Sequence, residues 1–323
     1  MSYRRKPQIN YTRLALLILG LVAAVAVVVC VIIGAKNLAQ NLLGEDVKEA
    51  GGTPVEEFKC IEIEDGQIIS PYGAVYDVEN SRMTAIRRID AKIYPASMTK
   101  LMTLVVAVEQ LDSLDRQFII SQDIADYAQA GNFVTAGYVV GETVTARDLL
   151  HGLILQSCAE CAEGIARMIS GSQSAFAVLM NNKAQEIGLT NTNFTNALGA
   201  HDSEHYTTVE DMIKLFDYVM KNETCVKILS AKEYTSTATW AHSYGVVMDN
   251  HAFTNLEKDS ADVAGKENVN IIAVKAGFTD QAGRCLMTYA QKGDRHFITV
   301  TAMAGSNKDA VADAYKLLND FAK

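Results

Sequence analysis

Residues 95–111 read PASMTKLMTLVVAVEQL. Ser97 and Lys100 stand three apart at the head of an apolar run. Residues at that spacing share a helix face, so the lysine amine is expected beside the serine hydroxyl. Leu101, Leu104, Val105 and Val108 recur at helical spacing, and Met102, Thr103, Val106 and Ala107 make the remaining face mostly nonpolar as well. A helix apolar nearly all round is a buried one. Its one polar end carries Ser97 and Lys100, where the helix N-terminus favours developing negative charge. A serine hydroxyl is a poor nucleophile until a neighbouring base takes its proton. A lysine can be that base only if burial or a nearby positive charge lowers its pKa.

The chain changes texture on either side of this helix. Short β-like runs precede it, GAVYDV at 73–78 and MTAIRRID at 83–90. A helical middle follows, punctuated by capping-box patterns at Thr145 with Asp148 and at Thr208 with Asp211. β-like runs return as YTSTATW (234–240), VNIIAVKAG (269–277), RCLMTYAQKG (284–293) and RHFITVTAMAG (295–305). An amphipathic helix, SNKDAVADAYKLLNDFAK (306–323), closes the chain. Strands at both ends predict one sheet assembled from distant segments and covered by helices, an α+β domain. A doubly wound parallel sheet would need a regular strand–helix alternation that is absent.

Residues 14–33, LALLILGLVAAVAVVVCVII, form an unbroken apolar run. At about 1.5 Å per residue it matches the roughly 30 Å hydrocarbon core of a bilayer. It is longer than the roughly 7–15-residue apolar region of a cleaved signal peptide. Arg4, Arg5, Lys6 and Arg13 precede it with no acidic residue, which keeps the N-terminus cytoplasmic. The predicted organisation is a cytoplasmic tail (1–13), a transmembrane anchor (14–35), a linker (36–57) and one extracytoplasmic domain (58–323). Setting aside the four cations before the span, the 29 basic residues fall to 25 against 38 acidic ones, a net of −13. That balance argues against nucleic acid or an anionic lipid surface as partner.

Two further segments complete a candidate constellation. Lys275, in VKAGFTD, follows a β-like run and is the candidate second positive charge; Gly277 lets a substrate approach closely at a strand edge. Ser157 sits where one helix ends and another begins, placed to relay a proton to a leaving amine. A lone S-x-x-K is common by chance; three elements in this order are far more specific. Cys158 and Cys161 read as core cysteines on a helix, since no second C-x-x-C or paired histidine completes a metal site. His201, Asp202, Glu204 and His205, in AHDSEHY, include a His-x-x-x-His spacing that a metal site allows, but no third ligand is evident, and the stretch reads as a loop packed near the site.

From about residue 70 onward the chain resembles the low-molecular-mass penicillin-binding proteins that act as serine D-alanyl-D-alanine carboxypeptidases. The similar stretches are YPASMTKLMT (94–103), GETVTARDLLHGLILQS (141–157), GSQSAFAVLMNNKAQEIGLTNTNFTNALG (171–199), HYTTVEDM (205–212) and KAGFTDQAGRCLM (275–287). The resemblance implies a β-lactamase/transpeptidase-like fold, a mainly antiparallel sheet flanked by helices. It implies Ser97 as the acylated nucleophile, Lys100 as base, Ser157 as relay and Lys275 as the strand lysine that organises the site and its anionic substrate. The N–H groups of Ser97 and Phe278 would form the oxyanion hole. Peptidoglycan stem peptides would be substrates, with β-lactam antibiotics as inhibitors and no cofactor.

Two departures stand out. Ala159 replaces the family's usual asparagine, and Ala276 replaces a threonine or serine whose hydroxyl helps hold the substrate carboxylate; Thr279, on the face shared with Gly277, is the expected substitute. Many relatives also carry a second β-domain and a C-terminal anchor, whereas the anchor predicted here lies at the opposite end. A non-catalytic tethered binder of cell-wall peptides is the alternative reading. A β-lactamase fits less well, because Glu204 and Glu210 are the only acids near the relevant loop.

Overall fold

The computed structural model describes residues 59–323. The anchor and linker predicted at 14–35 and 36–57 lie outside the described residues. Among the described residues, no helix is long and apolar enough to cross a membrane.

Three strands open the domain: β1 (Ile61–Glu62), β2 (Tyr72–Asp77) and β3 (Arg82–Arg87). The stretch PASMTKLMTLVVAVEQL follows, as a 3₁₀ turn (Ala96–Thr99) running directly into α1 (Lys100–Gln110). The middle of the chain holds β4 (Gln117–Ile119), α2 (Gln122–Ala130), β5 (Thr143–Thr145), α3 (Ala146–His151), α4 (Ala159–Ser170), α5 (Gln173–Ile187), α6 (Val209–Val219) and α7 (Glu223–Leu229). It ends with β6 (Glu233–Thr235), β7 (Val247–Asp249) and α8 (His251–Asp259); β8 (Asn270–Thr279), β9 (Gly283–Lys292), β10 (Arg295–Ala304) and α9 (Asn307–Phe321) finish the domain.

Distant segments do build one sheet, in the order β1-β3-β2-β10-β9-β8. Every pairing in it is antiparallel except that of β1 with β3. Period-2 alternation sends neighbouring residues to opposite faces. Ala74 and Val300 join the helical core built around α1, while Val75 and Phe297 pack under α9 with Leu317 and Leu318. One predicted strand is corrected: only the start of YTSTATW pairs, as β6 with β7 in a separate two-stranded ribbon closed by the Ser236 N–H on the Val246 carbonyl, and residues 237–245 leave the pairing.

Helix α1 is buried from Lys100 to Ala107, as its nearly all-round apolarity predicts. Each fully buried aliphatic side chain contributes about 1.5–3 kcal/mol relative to exposure, so α1 is a rigid post for the serine at its head. The Thr145 capping box forms in full. The Thr208 box is only half made. Its hydroxyl accepts from the Asp211 N–H, but the Asp211 carboxylate turns to the Asn191 N–H and the Thr192 hydroxyl. That buried carboxylate ties the 190s segment to α6, a tertiary demand that outweighs a local cap.

Candidate active site

The head of α1 is built under constraint. Ala96 adopts φ +46°, a left-handed conformation unusual for a residue with a Cβ, and the chain turns there to raise Ser97. Two glycines permit this. Gly199 has φ +83°, and a Cβ there would lie 1.9 Å from the Ala96 carbonyl oxygen. A Cβ on Gly277 would come within 2.9 Å of the Ser97 backbone nitrogen. The close approach that Gly277 permits is therefore between strand β8 and the nucleophile turn, where the sequence suggested an approach by substrate. β8 is an edge strand, so its outer side offers main-chain hydrogen-bonding groups to whatever occupies the cleft.

Lys100 Nζ lies 2.9 Å from Ser97 Oγ and donates to the Leu198 carbonyl at 2.7 Å. The lysine is 1% exposed. Burial, with the positive charge of Lys275 second, holds its pKa well below the ordinary lysine value. A neutral amine at this distance is an acceptor for the Ser97 proton. The sequence asked for a base lowered by burial or by a second cation, and both causes are present.

Lys275 is also buried, and burial lowers its pKa to about 8. It donates to Ser157 Oγ at 3.2 Å and to the Ala276 carbonyl at 3.1 Å. Ser157 follows a π-helical turn, Gly152–Gln156, and takes φ +62° before α4 begins. The helix junction read from the sequence is therefore real, and its strained residue is the serine itself.

Ser97, Lys100, Ser157 and Lys275 line one cleft of about 460 Å³, and Gly277, Phe278 and Thr279 line it as well. All seven residues singled out by the sequence are thus brought together. Thr279 is partly engaged: its Oγ1 accepts from the Ala282 N–H at 3.1 Å, closing the turn into β9. Ala159 is fully buried and does not line the cleft.

Other candidates resolve into supporting roles. His205 is buried, with its pKa lowered to about 4 by burial. It accepts from the Thr195 N–H at Nδ1, which leaves Nε2 to donate to Thr99 Oγ1 at 2.8 Å. It therefore braces the segment carrying Leu198 against the nucleophile turn. His201 lies on the surface with its ring against Tyr94. Cys158 and Cys161 are buried as expected, and they are also joined to each other as a disulfide at the start of α4. The intervening Glu160 accepts from the Ala136 and Gly137 N–H groups, pinning the segment whose Asn132, Phe133 and Val134 form one wall of the cleft. Sequence reasoning gave no role to the Leu198 carbonyl, to His205 or to Arg284, which also lines the cleft.

Comparison with known proteins agrees with this geometry. A family model described as D-alanyl-D-alanine carboxypeptidase matches residues 64–306. The D-alanyl-D-alanine carboxypeptidase of Streptomyces sp. (strain K15) is 30% identical over 253 residues, covering 76% of this chain and 84% of that protein. Carboxypeptidase DacF of Bacillus subtilis is 29% identical over 231 residues. This chain spans 56% of that relative's length, and 58% of the length of Escherichia coli DacC. The crystal structure of the Streptomyces K15 DD-transpeptidase superposes with a TM-score of 0.69 at 26% identity, over 80% of this chain and 98% of that one. The mixed α+β domain is therefore transpeptidase-like, and the chain belongs to the D-alanyl-D-alanine carboxypeptidase family.

Proposed function

We propose that the protein is a serine-type D-alanyl-D-alanine carboxypeptidase that removes the terminal D-alanine from peptidoglycan stem peptides. The observation that carries this reading is the buried Lys100 amine 2.9 Å from Ser97 Oγ, facing a cleft. Ser97 Oγ attacks the carbonyl carbon between the two D-alanines while Lys100 takes its proton. The backbone N–H groups of Ser97 and Phe278 receive the oxyanion. Ser157, hydrogen-bonded to Lys275, passes a proton to the departing amine. Water then attacks the Ser97 ester and releases the shortened peptide. β-Lactams acylate the same serine as inhibitors.

The apolar run at 14–33 serves as a single-pass anchor that holds the catalytic domain at the outer face of the cell membrane. No nucleic-acid partner is part of this reading. Glu204 and Glu210 do not line the cleft, and no carboxylate does among the described residues, which disfavours rapid deacylation of the β-lactamase kind. The rival reading, a tethered binder without turnover, draws on Ala159 and Ala276.

The test is D-alanine release from a synthetic peptide ending in D-Ala–D-Ala, with Ser97→Ala as control. Release that vanishes in the variant, together with covalent penicillin labelling, is the expected result. Labelling that persists in Ser97→Ala would sink the assignment. Labelling without peptide turnover in the native chain would leave the binder.

A further inference from the structure

We propose that Trp240 and Tyr244 form an exposed platform for the neutral sugar strand to which peptidoglycan stem peptides are joined. The protein would thus hold the glycan beside the cleft as well as the peptide within it. The inference deepens the carboxypeptidase reading and rests on it.

Two loops meet at this place. One, 131–141, follows α2, and its Asn132, Phe133 and Val134 form one wall of the cleft. The other, 237–245, lies between β6 and β7. Glu142 fastens them together. It is fully buried, and its carboxylate accepts from the Val139 N–H, the Thr239 hydroxyl and the His242 ring. Trp240 Nε1 adds a bond to the Gly141 carbonyl at 3.3 Å. A buried charge held by three donors makes a rigid seam, so the cleft wall and the Trp240 loop are tied to each other.

The side chains carried by the joined loops face solvent. Trp240 is 72% exposed and Tyr244 92%, and Val139, Val140 and Val247 are exposed as well. Large apolar side chains gathered at a fixed surface mark a place of recognition.

The composition of the face selects its partner. The chain is 21% charged, yet 131–141 and 234–248 contain no Asp, Glu, Lys or Arg. An anionic lipid surface recruits Lys and Arg, and this face has neither. It offers aromatic and aliphatic surface interleaved with Thr, Ser and Gly. A pyranose ring complements that mixture: its C–H face stacks on an aromatic ring, while its hydroxyl and N-acetyl groups bond to neutral polar groups and water. Continuity with the cleft supplies the rest. A stem peptide is joined to the sugar strand at the end away from its D-alanines. A peptide seated at Ser97 therefore brings sugar to the margin of the cleft, and the 131–141 loop leads from that wall to Trp240.

Trp240 is the only tryptophan in the chain and so reports on its own site. The full chain carrying Ser97→Ala is titrated with N-acetylglucosamine tetramer to millimolar concentration while tryptophan emission is followed. The expected result is a saturable blue shift whose apparent affinity falls about two- to tenfold in Tyr244→Ala, the range of one aromatic contact. Followed by NMR of the sugar, Trp240→Ala should lose binding, and Trp240→Phe, which keeps a ring, should regain part of it. With Ser97 intact, D-alanine release is measured from a glycan-linked peptide and from the free peptide. Trp240→Ala should raise KM for the first about two- to tenfold relative to KM for the second. No emission change with the tetramer, or an unchanged ratio of the two KM values, would overturn the proposal. A shift caused by phosphatidylglycerol vesicles or by protein concentration alone, and not by the tetramer, would overturn it in favour of a membrane or a second copy. Saturable tetramer binding without turnover of either peptide would sink the catalytic reading and leave the platform.

Discussion

The floor of the cleft and its strand-side rim are built on different terms. On the floor, Lys100 and Lys275 are buried, and each is held by two oxygen contacts. Ser97 and Ser157 are raised by backbone turns that depend on left-handed residues. Along the rim, Phe278 is 48% exposed, Thr279 spends its oxygen on a turn, and Ala276 offers only a methyl. Proton transfer requires pKa values that only a closed, multiply bonded setting can shift. Recognition of a carboxylate requires only that some donor reach it. The floor therefore tolerates little change of residue type, whereas the rim tolerates more.

The most damaging break in that comparison is at the point where rim and floor touch. A Cβ on Gly277 would crowd the Ser97 nitrogen at 2.9 Å, with Pro95 O and the Ala96 Cβ at 3.1 Å. The neighbours are mostly backbone and cannot swing away. Gly277→Ala should displace the oxyanion donor and slow acylation about a hundred- to a thousandfold, the cost of losing one such donor. Stopped-flow acylation by a fluorescent penicillin, with circular dichroism to verify folding, measures it. A rate within threefold of the native chain would mean that the Ser97 N–H is not part of the oxyanion site.

The same contrast explains what was legible beforehand. The floor residues could be found in the sequence because their chemistry is tied to spacing: Ser97 and Lys100 share one turn, and Ser157 sits at a helix junction. The sheet was legible from runs such as RHFITVTAMAG, whose alternation is strong enough to survive as β10. YTSTATW failed because, beyond the Ser236 N–H bonded to the Val246 carbonyl, its backbone N–H groups turn to the Asp148 carboxylate and a local turn instead of to a strand. Supports that depend on tertiary closure left little trace: the Leu198 carbonyl arrives from 98 residues away in sequence. Arg284 lies within a family-like run, but nothing local places its guanidinium over the Phe278 ring.

A second measurement separates the two lysines by pH. Acylation requires Lys100 without its proton, so the rate should rise with pH on the acid side, and its lowered pKa brings that limb below the range of ordinary lysines. Lys275 acts as a cation, and its pKa of about 8 places the opposing limb there. Above that value Lys275 loses its charge and the rate should fall, by about tenfold per unit well past the midpoint if the charge is essential. The expected profile of penicillin acylation is a bell whose alkaline limb lies near pH 8. A rate that climbs steadily to pH 10 would show that the Lys275 charge is dispensable.

The smallest effect bears most directly on the rim. Ala276→Thr restores a hydroxyl beside the expected position of the substrate carboxylate, and a neutral hydrogen bond of ordinary strength predicts a gain of about two- to tenfold in kcat/KM for D-alanine release. No gain, from folded protein, would place the carboxylate elsewhere along the rim, and Thr279, whose hydroxyl proton remains free to donate while its oxygen caps the turn, would be the next side chain to remove.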